Sequence, residues 1–177
     1  MVKQKRNHVL DLVLASMFLS LAVILPTITM NIKEIADSLL LMHLPIMLCG
    51  LICGAKYGLA SGLMAPIIRS LIFTMPPLYP RAIYMALELA TYGFVLGLLY
   101  KKTKGKIYVS LIVSQIAGRI VWAISKTLLL GFSHEDITFK AFLVGGFVDA
   151  IPGIALQLVL IPLIMLIIKK IRKRPEF

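Results

Sequence analysis

The chain has 177 residues, 59% of them hydrophobic, and 19 lysines and arginines against 8 aspartates and glutamates, for a net charge of +11; its mean hydropathy is +0.93. A soluble domain of this length needs a polar exterior, which this composition cannot supply. Nucleic acid is not the partner the charge suggests, because the basic residues form short runs at the ends of apolar stretches instead of one soluble basic face.

A membrane span takes about 20 mostly apolar residues, and six stretches qualify in chain order. The first, 9–29, follows the basic start Lys3, Lys5 and Arg6 and reads as a retained helix, not a cleaved signal. The second, 39–55, carries His43 at one end and the cysteines Cys49 and Cys53 in an apolar setting. Two cysteines lack the ligands and polar surroundings of a zinc site or disulfide framework, so they read as buried small residues. Ala55-Lys-Tyr-Gly58 reads as a tight turn into the third span, 58–74, making a helical hairpin. Met75-Pro-Pro-Leu-Tyr-Pro80 is a break, since three prolines cannot sit in a regular helix. The remaining spans are 81–100, 107–131 and 141–168.

Lysine and arginine set the orientation. With the N-terminus inside, thirteen fall on the inner side: Lys3, Lys5, Arg6, Lys56, Lys101, Lys102, Lys104, Lys106, Lys169, Lys170, Arg172, Lys173 and Arg174. Three, Lys33, Arg81 and Lys140, fall outside. The sequence thus predicts an all-α integral membrane protein, one domain over 1–177, built as a six-helix bundle with both termini cytoplasmic.

Charged side chains within a bilayer are costly and usually face protein or water. Here Arg69, Glu88, Arg119, Lys126 and Asp149 lie within spans, at mid-membrane or in the outer half, with His43 at the outer end of its helix. Tyr84, Glu88 and Tyr92 repeat every four residues and share a helix face; Gln115, Arg119, Trp122 and Lys126 form a second stripe. Asp149 and Gln157 form a third, continued at four-residue steps by Gly145 before them and Gly153 between them. Three such stripes at matching depth are expected to surround an outward-facing pocket. The plainer alternative is that Glu88 or Asp149 only neutralises Arg119 or Arg69. On the inner side, Gly50/Gly54, Gly58/Gly62 and Gly93/Gly97 are G-x-x-x-G pairs suited to close helix packing within the chain. Pro45, Pro66, Pro152 and Pro162 are expected to kink their helices or loosen the local hydrogen bonding.

No G-x-x-x-x-G-K-[ST] run, H-E-x-x-H pair or G-x-S-x-G elbow is present, and no nucleophile–base pair stands out. The chain is not expected to be an enzyme, no metal or other cofactor is implied, and energy for transport must come from another subunit.

The run His43-Leu-Pro-Ile-Met-Leu-Cys-Gly50, with Gly54-Ala-Lys-Tyr-Gly58 and Pro66-Ile-Ile-Arg-Ser-Leu71, resembles the substrate-binding S components of energy-coupling factor (ECF) vitamin transporters. Met75-Pro-Pro77, Met85-Ala-Leu-Glu-Leu89, Tyr92-Gly93, Gly118-Arg-Ile-Val-Trp122, Pro152-Gly153 and Gln157 extend the similarity over almost the whole chain. The resemblance implies a multi-pass plasma-membrane subunit that binds a vitamin near its outer face. It also implies partners: a transmembrane coupling subunit and two cytoplasmic ATPases, with toppling in the membrane to release substrate inside. Family members often carry Ala-x-x-x-Ala on the first helix where it meets the coupling subunit. The nearest counterpart here is Ser16-x-x-x-Ser20 beside Ala15 and Ala22. The loop from Asn31 to Ser38 would cover the site.

The subgroup most resembled takes hydroxymethylpyrimidine or pyridoxine, and Tyr84, Tyr92 and Trp122 suit a flat ring. Glu88 or Asp149 could accept hydrogen bonds from ring N–H or amino groups. Pantothenate remains open, because Arg69 or Arg119 could grip a carboxylate; riboflavin is a further alternative. An Arg119 already neutralised by Glu88 or Asp149 would favour the neutral heterocycle. His43, Arg69, Tyr84, Glu88, Tyr92, Gln115, Arg119, Trp122, Asp149 and Gln157 are the expected substrate-binding set. A self-contained secondary transporter, a lipid-processing membrane enzyme and a ligand-free structural subunit are the rival classes. Against the first, no internal repeat relates 1–80 to 81–177.

Overall fold

A computed structural model describes residues 8–27, 40–130 and 151–172. These residues form six α-helices and no strand: α1 His8–Ile24, α2 His43–Ile52, α3 Ala55–Phe73, α4 Ile83–Lys102, α5 Ile107–Leu130 and α6 Ile151–Arg172. Four helical segments, His8–Thr27, Leu78–Lys102, Ile107–Leu130 and Ile151–Ile168, are long and apolar enough to cross a membrane. The expected start of the sixth span, 141–150, with Asp149, and the Asn31–Ser38 loop lie outside the described residues.

The helix ends follow local chemistry. The α-helical part of α1 stops at Ile24 and not at residue 29, because Pro26 has no N–H for the ladder; one tighter turn, Leu25–Thr27, follows. The reversal between α2 and α3 falls at Cys53–Gly54, not at 55–58. Gly54 takes φ 99°, which a residue with a side chain strongly resists, and Ala55–Gly58 becomes the first turn of α3. Between α3 and α4 the proline-rich segment makes an irregular turn over Leu78–Ala82, where Tyr79 leaves helical geometry at φ −116° and ψ 134°. The Tyr79 hydroxyl donates to the Leu129 carbonyl at 3.0 Å and ties this turn to the end of α5. Pro66 and Pro162 sit inside α3 and α6.

α2 has 10 residues, fewer than the 39–55 expected. At a rise of 1.5 Å per residue that is about 15 Å, half a bilayer core. It is nevertheless buried from His43 to Leu51, except for half-buried Leu44, because it packs against α1, α3, α4 and α6. α4 is the central element, packed on α2, α3 and α5. The largest apolar cluster joins Met47, Leu48 and Leu51 of α2 to Tyr92 and Leu96 of α4, Leu111 of α5, and Ile161 and Met165 of α6.

In lipid, apolar burial does little to drive helices together, so close packing takes over. A Cβ on Gly93 would lie 2.4 Å from the Gly58 carbonyl oxygen, one on Gly97 2.5 Å from the Gly50 oxygen, and one on Gly62 2.5 Å from the Ala90 nitrogen. Three helices therefore touch backbone to backbone. Gly50, Gly58, Gly62, Gly93 and Gly97 all serve packing within the chain; Gly54 is the turn.

Candidate substrate-binding site

The opposite end of these helices is joined by side chains. Glu88, in the second turn of α4, is 2% exposed and presents its Oε1 to three neighbours. Tyr92, one turn later on α4, donates its hydroxyl to that oxygen at 3.1 Å. Arg119 of α5 places Nη1 at 3.3 Å from it, and His43 of α2 places Nε2 at 3.7 Å. The His43 and Tyr92 rings meet edge-on with centroids 5.3 Å apart. One carboxylate thus links α2, α4 and α5, and its pairing with Arg119 is what makes either charge tolerable in this setting. The i, i+4 spacing of Glu88 and Tyr92 supplies one contact, and the first-turn position of His43 supplies another.

Gly118 makes the arrangement possible. A Cβ there would fall 2.5 Å from Tyr92 Cε1, so the Tyr92 ring lies flat on a surface only glycine leaves free. Sequence reasoning did not assign Gly118 to the site. Its position immediately before Arg119, on a polar stripe, was the available signal.

Arg119 also links this cluster to an aromatic one. Its guanidinium lies 5.9 Å from the Trp122 ring centroid, and the Lys126 ammonium lies 5.3 Å from the same ring. Trp122 meets Tyr84 edge-on at 6.4 Å. One turn before Arg119, the Gln115 amide donates to Gln157 Oε1 of α6 at 3.1 Å, joining α5 to α6.

Several buried polar atoms here lack a hydrogen-bond partner among the described residues: Nε and Nη2 of Arg119, Nε2 of Gln157, and both ring nitrogens of His43. All three residues are at most 4% exposed. A buried donor left unmatched costs about 1–3 kcal/mol, so atoms of this kind call for a partner that the described residues do not supply.

The structure thus gathers His43, Glu88, Tyr92, Arg119, Trp122 and Tyr84, and brings Gln115 and Gln157 together. Arg69 stands apart. It is buried in α3, where Nη1 donates to the Val23 carbonyl at the end of α1 and the guanidinium lies 5.3 Å from the Phe73 ring centroid. Arg69 therefore ties α3 to α1, and among the described residues it forms no ion pair with Glu88. On α1, Ser16 and Ser20 are exposed and line, with Met17 and Leu21, an open groove of about 390 Å³. Their hydroxyls donate to carbonyls of their own helix, Ser16 to Leu12 and Val13 and Ser20 to Ser16. Ala15 does not join them: it is buried with Cys49 and Cys53, a helical rotation away from the groove.

No curated protein and no solved structure shows significant similarity to the chain. Residues 10–165 match the model of the family described as ECF transporter, substrate-specific component. That match runs from the first turn of α1 into the last turns of α6 and includes every residue of the Glu88 cluster. With its apolar helices it identifies a multi-pass membrane protein, and the chain belongs to the family of ECF transporter substrate-specific components, which bind substrate for transport and do not transform it.

Proposed function

We propose that this chain captures an uncharged aromatic heterocycle, a vitamin or precursor of the pyridoxine or hydroxymethylpyrimidine type, at the outer face of the plasma membrane. It crosses the bilayer six times as one domain with both termini in the cytoplasm. It delivers the compound to a transmembrane coupling subunit driven by two cytoplasmic ATPases, which it meets through the Ser16/Ser20 groove. The orientation is supported by the thirteen lysines and arginines assigned inside against three outside.

The observation that carries the substrate reading is the 3.3 Å approach of Arg119 to Glu88. An arginine held by a buried carboxylate is a poor anchor for a second carboxylate, which would have to break that pair. This favours a neutral ring over pantothenate. Tyr84 and Trp122, half-buried beside the cluster, offer aromatic surface for such a ring.

The test is the thermal unfolding of the purified chain in detergent against B vitamins and their precursors. A ligand of the folded state adds about 2.7 kcal/mol at a hundredfold excess over Kd. The expected result is a raised midpoint with pyridoxine or hydroxymethylpyrimidine that Arg119→Ala reduces. A shift with pantothenate alone would replace the heterocycle by a carboxylate, and a folded protein that responds to nothing in the panel would remove the capture role.

A further inference from the structure

The unmatched atoms of the site are unequal in kind. Arg119 Nε and Nη2 and Gln157 Nε2 can only donate. The two free nitrogens of His43 contribute, in the neutral ring, one donor and one acceptor. Two acceptors nearby are engaged: Glu88 Oε1 receives the Tyr92 hydroxyl and faces Arg119 and His43, and Gln157 Oε1 receives the Gln115 amide. Among the buried atoms without a partner, donors therefore outnumber acceptors, and the donor-only ones lie on different helices, α5 and α6. Gln115, which holds Gln157, sits one turn from Arg119 on the same face of α5, so the two sets of donors lie about one helical turn apart.

We infer that the ligand is read through its hydrogen-bond acceptors: it presents one acceptor to the Nε/Nη2 edge of Arg119 and a second to the Gln157 amide, so that aromatic ring nitrogens and hydroxyl oxygens, not amino groups, determine affinity. This deepens the heterocycle reading above and rests on it. Glu88 then serves as the positioning residue that aims the outer edge of Arg119, while the Gln115 amide aims Gln157. A flat hydrocarbon of the same shape fits the aromatic surface and leaves the donors unmatched, so the site rejects it. The discrimination belongs to the pattern of donors.

The experiment uses the full chain in detergent and titration calorimetry with two matched pairs: pyridoxine and 4-amino-5-hydroxymethyl-2-methylpyrimidine, each beside the analogue whose ring nitrogens are replaced by C–H. Losing a hydrogen bond to a charged or fixed donor weakens binding about tenfold to a hundredfold. The expected result is that loss for the all-carbon ring in the wild type, and its disappearance in Gln157→Leu or Arg119→Met, where heterocycle and carbocycle bind alike. Equal binding of both members of a pair to the wild type would overturn the inference and leave the aromatic-ligand reading standing. A preference that persists unchanged in both variants would place the acceptors elsewhere and also overturn it. No binding by either pair would remove the heterocycle reading, and the inference with it. The wild-type comparison needs no variant to fold.

Discussion

The two ends of the α2–α3–α4 assembly are held by opposite means. Toward the cytoplasmic end expected from charge, Gly50, Gly58, Gly93 and Gly97 bring backbones into direct contact, with no space for even a methyl group. Toward the other end, α2, α4 and α5 are joined through side chains that converge on one oxygen of Glu88. Backbone contacts have no rotamers and no alternative partners, so the glycine end has a single arrangement. Side chains around a shared carboxylate can exchange partners without moving a helix. A substrate-capturing protein must hold its shape in lipid and still accommodate a guest, and α2 and α4 carry both kinds of contact, the first shared with α3 and the second with α5.

Three substitutions break or sharpen this contrast. The largest effect is expected from Gly93→Leu. Its side chain would meet the Gly58 backbone, which cannot move aside, so the cost lies at or above the upper end for overpacking, about 3 kcal/mol or more. Loss of the monodisperse peak in detergent gel filtration would register it; retention would show that the glycine contacts are dispensable. Next comes Glu88→Gln, which leaves the Arg119 charge buried without its counterion at a cost of about 3–5 kcal/mol. Adding Arg119→Met should recover most of that unfolding free energy yet not ligand binding, since the donor edge is gone. Recovery of both would make the pair purely structural. The smallest effect is expected from Gly118→Ala, where the intruding methyl meets a side-chain ring, Tyr92, instead of backbone. A stability loss of about 1–2 kcal/mol, near the lower end for overpacking, should accompany a disproportionate fall in ligand affinity as the Tyr92 hydroxyl leaves Glu88. Unfolding as severe as that of Gly93→Leu would erase the distinction between the two ends.

Much of this was legible in the sequence, and the misses at the candidate site share one cause. Helix positions follow from apolar length and proline punctuation, which is why α3, α4 and α5 fall within two or three residues of expectation. Contacts along one helix, such as Glu88 with Tyr92, follow from a four-residue step. What a single chain does not encode locally is the rotation of one helix against the next. Arg69 has the right depth to join Glu88 but faces α1, where it bonds the Val23 carbonyl. Ala15 and Ser16 are neighbours in sequence, yet one is buried and the other lines a groove. The fit of Tyr92 against Gly118 belongs to the same class, since it exists only once α4 and α5 are docked.

Trp122 has a consequence for observation. It is the single tryptophan of the chain, and it sits between the Arg119 and Lys126 cations with Tyr84 at its edge. Indole emission responds to nearby charge and to stacked rings, so a compound entering this neighbourhood alters the colour and intensity of one fluorophore against a background of tyrosines. The protein carries its own optical probe at the place where capture is proposed, and arrival and departure of a guest can be followed in real time with no label attached.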